Sequence, residues 1–224
     1  MQNCLGIYIE NNLIKYAKVS KDRDTFKVDA FGIRFFDNLN EAIKKIVEET
    51  YSFTTPISIN LANEQYLYYD IFALLSKNDI QKTVETEFET FCDENKYNQK
   101  AFETRYALVS NVQNKERIKA IQVIVNKIEL NKQKQYLEKH NLSGILPIGT
   151  AIASITRFEK KENVLIVNME EKTTITTIYD RQIYNVETID HGSQEVLEKI
   201  KVLEQNGVFD VDVEDDPETI KLTA

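Results

Sequence analysis

Tryptophan is absent from this chain of 224 residues, and cysteine, proline and glycine are scarce, at 2, 3 and 6. Cys4 and Cys92 belong to no CxxC pair and no Cys/His cluster. That excludes a disulfide framework or a thiolate zinc site and fits a reducing compartment. Both cysteines lie in apolar-periodic segments and read as small hydrophobes. So little glycine and proline, with 29% charged residues, excludes a disordered chain. No run approaches the roughly 18 uninterrupted apolar residues of a membrane span. The opening MQNCLGIYIE has no basic segment before a long apolar one, so no secretion signal is read there. Positive charge is also in deficit: 28 Lys and Arg stand against 36 Asp and Glu, for a net charge of -8. Lysines and glutamates are interspersed, which leaves no basic face and excludes nucleic acid as a partner. What remains is 42% hydrophobic, with 11 Phe and 11 Tyr. This is the composition of an ordered globular protein with one large domain or two small ones. A soluble, cytoplasmic protein is expected, without a membrane span of its own but able to dock on a membrane complex.

Residues 3–36 alternate like strands. Leu5, Ile7 and Ile9 share one face, and Asn11-Asn12 supplies a pair that tolerates the left-handed backbone of a tight hairpin. A third strand spans 25–36. Asn38 then caps a helix over 39–50 with Leu39, Ala42, Ile43, Ile46 and Val47 at helical spacing. Pro56 opens a short strand over 57–61, so the order is βββαβ. From 64 to about 156 the pattern changes to βαββαβα. A strand covers 66–75, and a helix capped by Asn78 or Asp79 runs to Cys92. Two strands, 101–111 and 118–125, flank a turn at 110–114. A lysine-rich amphipathic helix over 126–140 and a helix over 148–157 follow. Then βββα recurs: strands at 163–169, 173–179 and 182–189, and a helix over 194–205 ended by Asn206-Gly207. The last stretch, VFDVDVEDDPETIKLTA, is acidic and without clear periodicity, so poor order is expected there.

The internal duplication is the most informative feature. Two βββα units separated by an inserted segment imply two similar halves facing each other. The tips of their first hairpins, GIYIENNLIK (6–15) and VNMEEKTTITTI (167–178), carry the comparison further. They resemble the phosphate-binding turns of the actin-like ATPase superfamily, D-I-G-x-x-x-[ST/I]-K in the first half and D-I-G-x-x-[ST]-T in the second. The middle segment and HNLSGILPIGTAIASI (140–155) resemble the corresponding passages of the PilM/FtsA branch. The resemblance covers residues 3 to about 205. It implies an actin-like (ribonuclease H-like) α/β fold, duplicated as βββαβα. The first half would be 1–63, an inserted small α+β subdomain 64–147, and the start of an incomplete second half 148–207, with an acidic tail at 208–224.

The departures point away from the family's chemistry. Its first-hairpin aspartate places a metal and its tip glycine lets the backbone approach phosphate, because glycine has no Cβ. Here those positions hold Tyr8 and Glu10 in the first tip, and Asn168 and Glu170 in the second. A carboxylate ~4 Å from a phosphate repels it by about 4 kcal/mol at a surface-like dielectric. The degenerate nucleotide-binding set is therefore Glu10, Asn11, Asn12 and Lys15 with Asn168, Glu170, Lys172, Thr173 and Thr174. The alternative is that both tips are ordinary charged turns. No metal or cofactor is expected, with ATP and Mg²⁺ admitted only if the degenerate site still binds. His140 and His191 read as structural, and no catalytic residue is assigned.

The run Glu64-Gln65-Tyr66-Leu67-Tyr68-Tyr69-Asp70 puts Tyr66, Tyr68 and Tyr69 on a strand suited either to peptide capture or to covering a helix. The resemblance implies a pseudo-ATPase scaffold at the inner membrane face, serving a type IV pilus or secretion machine. It would bind the short cytoplasmic tail of a bitopic membrane protein on or beside the inserted subdomain, and it could form a homo-oligomer. The alternative is a working actin-like ATPase or sugar-kinase-like enzyme, or a filament-forming division protein.

Overall fold

The computed structural model describes residues 2–23, 25–61, 63–110, 114–154 and 162–205. The chain forms two compact units, residues 1–166 with 175–187, and residues 167–174 with 188–224. In the first unit, β1 (Gln2–Glu10), β2 (Leu13–Asp22) and β3 (Thr25–Phe35) make an antiparallel meander. Asn11 carries the left-handed backbone of the first turn, with φ 47°. The Asn38 side chain accepts from the Asn40 and Glu41 amides and starts α1 (Leu39–Glu49) where expected. Its stripe Ala42, Ile43, Ile46 and Val47 is buried against Leu5, Ile7 and Ile14 of the meander. β4 (Ile57–Asn60) then pairs parallel to β1 and adds Ile57 and Ile59 to that core.

The second sheet has the order β5-β7-β6, from β5 (Gln65–Phe72), β6 (Phe102–Ser110) and β7 (Arg117–Asn126). One face is covered by α2 (Lys77–Glu94), whose Ile80, Val84 and Phe88 meet Ile71, Ala120 and Ile124. β5 ends at Phe72, short of the expected residue 75, because the chain turns there: the Leu75 amide donates back to the Phe72 carbonyl and Leu74 is fully exposed. α2 begins at Lys77, ahead of the expected Asn78 or Asp79 cap. Ser76 takes the capping role by accepting from the Asp79 amide. α3 (Lys127–Tyr136) likewise stops before His140. The Leu137 and His140 amides donate three residues back, to Lys134 and Leu137, and this tighter turn sinks Leu137 fully into the first core. Next, β8 (Leu142–Leu146) pairs parallel to β4, giving a first sheet of order β3-β2-β1-β4-β8. That sheet thus draws one strand from within 64–147.

α4 (Ile148–Ala153) leads on. The expected continuation of that helix to 157 lies outside the described residues, as do the 206–207 stop and the 208–224 tail. β9 (Val164–Met169), β10 (Thr173–Tyr179) and β11 (Gln182–Ile189) form a third sheet of order β11-β10-β9, followed by α5 (Ser193–Gln205).

One packing feature was not read from the sequence. β3 lies at the edge of the first sheet and is bulged: Lys18 pairs with Ala30 and Val19 with Val28, which leaves Asp29 without a partner strand residue. The extra residue re-phases the alternation. Even-numbered Phe26 and Val28 and odd-numbered Phe31, Ile33 and Phe35 therefore all fall on the face away from α1, and all five are exposed, by 48–79%.

Candidate functional site

The strand leading into the first hairpin tip is tied to β4 by a side chain. β1 and β4 stay in register only through Ile7 and Ile59. Beyond that point the Asn60 side chain continues the ladder, accepting from the Ile9 amide at 2.8 Å and donating to the Ile9 carbonyl at 3.0 Å. Lys15, which matches the lysine of the resembled pattern, lies over the Tyr8 ring at 5.7 Å. Asn11 and Asn12 are exposed and Glu10 is half-buried. Glu10, Asn11, Asn12 and Lys15 thus stand together at one tip, beside a tyrosine where the family keeps its aspartate.

The second tip, in the other unit, is tied down as well. Glu170 presents its carbonyl to the start of α5, where the Ser193 amide donates to it at 2.7 Å and the Ser193 hydroxyl at 3.1 Å. The Thr173 hydroxyl donates to the His191 carbonyl at 2.7 Å, and Lys172 pairs with Asp190 at 2.7 Å. Lys172 holds the Asp190 carboxyl below the usual carboxylate range. Thr174 is buried on β10 and Asn168 half-buried on β9. Gly192 lies directly under the tip, where a Cβ would overlap the carbonyl oxygens of Glu170 and Glu171. Close approach is met at this second hairpin too, though the glycine sits on the facing turn and what approaches is the chain's own backbone. His191 bonds Glu195 through Nδ1 at 2.5 Å, and Glu195 in turn pairs with Lys199 at 2.8 Å, a chain of polar contacts running from just before α5 into its first two turns.

The tyrosine run is bonded internally. Tyr69 donates to Gln122 Oε1 at 2.9 Å, while Tyr68 accepts from the Val186 amide at 2.7 Å and donates to its carbonyl at 2.5 Å. Burial pushes both hydroxyls up to about 12. Lys119 lies over the rings of Tyr68 and Tyr184 at 4.7 and 4.2 Å, and burial lowers its pKa. Tyr66 donates to Glu64 Oε1 at 2.9 Å, and the same oxygen accepts from the Ile148 amide at 2.7 Å, the first amide of α4. Burial raises the Glu64 carboxyl to about 7, against the pull of the Tyr66 hydroxyl and the Ile148 and Gly149 amides. Glu64 therefore anchors one end of α4 to the start of β5.

A groove of about 1050 Å³ lies within the first unit, on the face of the second sheet opposite α2. Ile121 and Val123 of β7 and Tyr66 of β5 line one side; Gly144 to Pro147, Thr150 and Ala151 of β8 and α4, with Ile183 and Val186 of β11, line the other. Seven consecutive residues, 103–109, bring β6 along it. Among the described residues β6 has no strand beyond it in the order β5-β7-β6, so the groove runs beside a sheet edge. Sequence reading placed binding on the tyrosines of β5. In the structure Tyr66 lines the groove, whereas Tyr68 and Tyr69 do not. The contribution of β6 could not be found from its alternation, because an edge is a property of the sheet order.

No protein-family model and no curated protein sequence matches this chain. Solved structures do. A chain of a PilM-PilN type IV pilus biogenesis complex superposes with a TM-score of 0.70 at 14% identity, over 88% of this chain and 64% of that one. The cytoplasmic domain of EpsL, an inner-membrane component of the type II secretion system of Vibrio cholerae, superposes with a TM-score of 0.60, also at 14% identity, over 84% of this chain and 71% of that domain. This chain thus spans just under two thirds of the pilus chain. The likeness establishes the expected fold: actin-like α/β, matched over part of the length of its neighbours.

Proposed function

We propose that this protein is an actin-like scaffold of a membrane-associated assembly machine of the pilus or secretion type, and that its groove beside β6 holds a short cytoplasmic segment of a single-span membrane protein. The observation that carries this reading is the groove itself, large, mostly apolar and bordered by a strand edge. The neighbours lend it direction: one is a chain of a PilM-PilN complex, and the other is the cytoplasmic domain of an inner-membrane component. In this reading the partner carries the attachment to the inner face, and among the described residues no helix is long and apolar enough to cross a membrane.

The test is direct. Twelve-residue peptides tiling the cytoplasmic tails of single-span proteins encoded beside this gene are titrated in fluorescence polarisation. One is expected to bind at micromolar concentration, and Ala107→Trp, which fills the groove from an exposed position on β6, is expected to abolish that binding. Binding by none of them, or binding unchanged by Ala107→Trp, would overturn the proposal.

Nucleotide has no part in this reading. Neither tip suits a polyphosphate: the Ile9 amide is taken by Asn60, and the Ser193 amide at the start of α5 is taken by Glu170. Glutamates stand at both tips where backbone donors are needed. Calorimetric titration with Mg-ATP should give no binding heat up to millimolar concentration. A micromolar Kd would favour the working-ATPase alternative.

A further inference from the structure

We infer that the groove takes its occupant as an added β-strand on β6, and that this strand is apolar at its centre with a carboxylate at each end. The inference rests on the proposed reading of the groove as a peptide site. The orientation of β6 comes from its two ends. The Phe102 amide donates to the Gln99 carbonyl and the Ser110 amide to Gln182 Oε1, so neither turns toward β7. The β6–β7 register is unbroken from Phe102–Asn126 to Ser110–Ile118. In an antiparallel pair the N–H and C=O of one residue point to the same side and alternate along the strand. Thr104, Tyr106 and Leu108 therefore turn their backbone groups to the open edge, while residues 103, 105, 107 and 109 bond β7. Three N–H and three C=O groups, repeating at roughly 6.8 Å, match one added strand of about seven residues.

Side-chain direction supplies the rest. Ile121 and Val123 lie on the groove side of β7, so their register partners Ala107 and Arg105, and Val109 in the same alternation, face the groove. An added strand meets small apolar surface at Ala107 and Val109 and a cation at Arg105. Beyond Ser110 it meets Arg181, which neighbours Gln182, and Lys134 stands among the remaining lining residues. Arg105, Lys134 and Arg181 line the groove with one carboxylate, Glu103, and even with Glu162 beside Arg181 counted the local charge stays positive, opposite in sign to the chain's net charge of -8. Arg105 and Arg181 each have a carboxylate 3.9 and 3.6 Å away, but these side chains are 89% and 64% exposed, and such pairs exchange readily for a better-placed partner.

The probe is the labelled peptide Asp-Thr-Val-Thr-Val-Thr-Asp, whose pattern reads the same in both strand directions, compared with Lys-Thr-Val-Thr-Val-Thr-Lys on the full chain. The acidic peptide is expected to bind at least about tenfold more tightly, with the difference shrinking at high salt. Leu108→Pro removes one edge-facing N–H and no bond to β7, and should weaken binding about tenfold. Leu108→Ala, which keeps that N–H, should bind as the unmodified chain does. Equal affinity for the two peptides, no binding of the acidic one, or equal loss in both Leu108 variants would overturn the inference. Should a membrane-protein tail bind in an Ala107→Trp-sensitive way while the probe does not, the proposed function stands and this recognition rule falls. If neither binds, both fall.

Discussion

Gly192→Ala is expected to unfold the second unit while leaving the first intact. A Cβ at this position would overlap the Glu170 and Glu171 carbonyl oxygens, and both are backbone atoms that no rotamer change can move. The same hairpin tip is fastened by the Ser193 amide and hydroxyl on Glu170, by Thr173 on the His191 carbonyl and by Lys172 on Asp190. A shift large enough to admit a methyl group pulls these contacts apart together. Overpacking alone costs about 1–3 kcal/mol, and each buried hydrogen bond left unmade adds roughly 1–3. The total exceeds what a unit of this size can spare. Amide exchange is the appropriate readout, because protection should collapse for 167–174 and for α5 but persist in α1 and α2. Gly144→Ala is the matched control, since a Cβ there finds nothing nearer than the Leu146 side chain at 3.8 Å. Native-like protection across 167–174 in the Gly192 variant would contradict the described packing.

The two hairpins and α1 were legible because their signals are local. Alternation, an Asn-Asn turn and an Asn38 cap each act within a few residues, and the structure keeps all three. The destination of β8 was not legible. Its partner β4 lies some 85 residues earlier, with Ile57 beside Leu142, and a five-residue apolar strand carries no label for which sheet it joins. The bulge at Asp29 left a trace that could have been read: the apolar positions change parity between Val28 and Phe31, which a regular strand does not do. The two hairpin tips were legible from their resemblance to a known pattern. What holds them, Asn60 at one and Ser193 at the other, could not be found that way. Asn60 is 51 residues from Ile9 and Ser193 is 23 from Glu170, and both act as backbone mimics or donors, a role without a residue pattern. Glu64 shows the same limit. The sequence shows a carboxylate ahead of a tyrosine run, and only the fold delivers the α4 amide to it from 84 residues away.

Glu64 should make the stability of the first unit fall as pH rises from about 4.5 to about 7. Its carboxyl is raised from 4.5 to about 7 in the folded state, chiefly by burial. In that interval the folded chain holds a proton that the unfolded chain has lost, so deprotonation favours unfolding. The contribution is complete below pH 4.5, is lost through pH 7 and is flat above it. Two and a half pH units correspond to an upper bound on the order of 3 kcal/mol. Glu64→Gln keeps an acceptor for the Ile148 amide without the cost of burying a charge. It should therefore be about 1–2 kcal/mol more stable than the unmodified chain at pH 8, and no more stable at pH 4.5. Glu64→Ala leaves the Ile148 amide and the Tyr66 hydroxyl unpaired, and should be the least stable of the three at every pH. Urea unfolding followed by tyrosine fluorescence, at intervals from pH 4.5 to 8, separates these cases. Parallel stability profiles for the unmodified chain and Glu64→Gln would show that the carboxyl titrates as an exposed group. The outcome bears on the groove as well, because α4 forms part of its wall and Glu64 is the side chain that fixes where α4 begins.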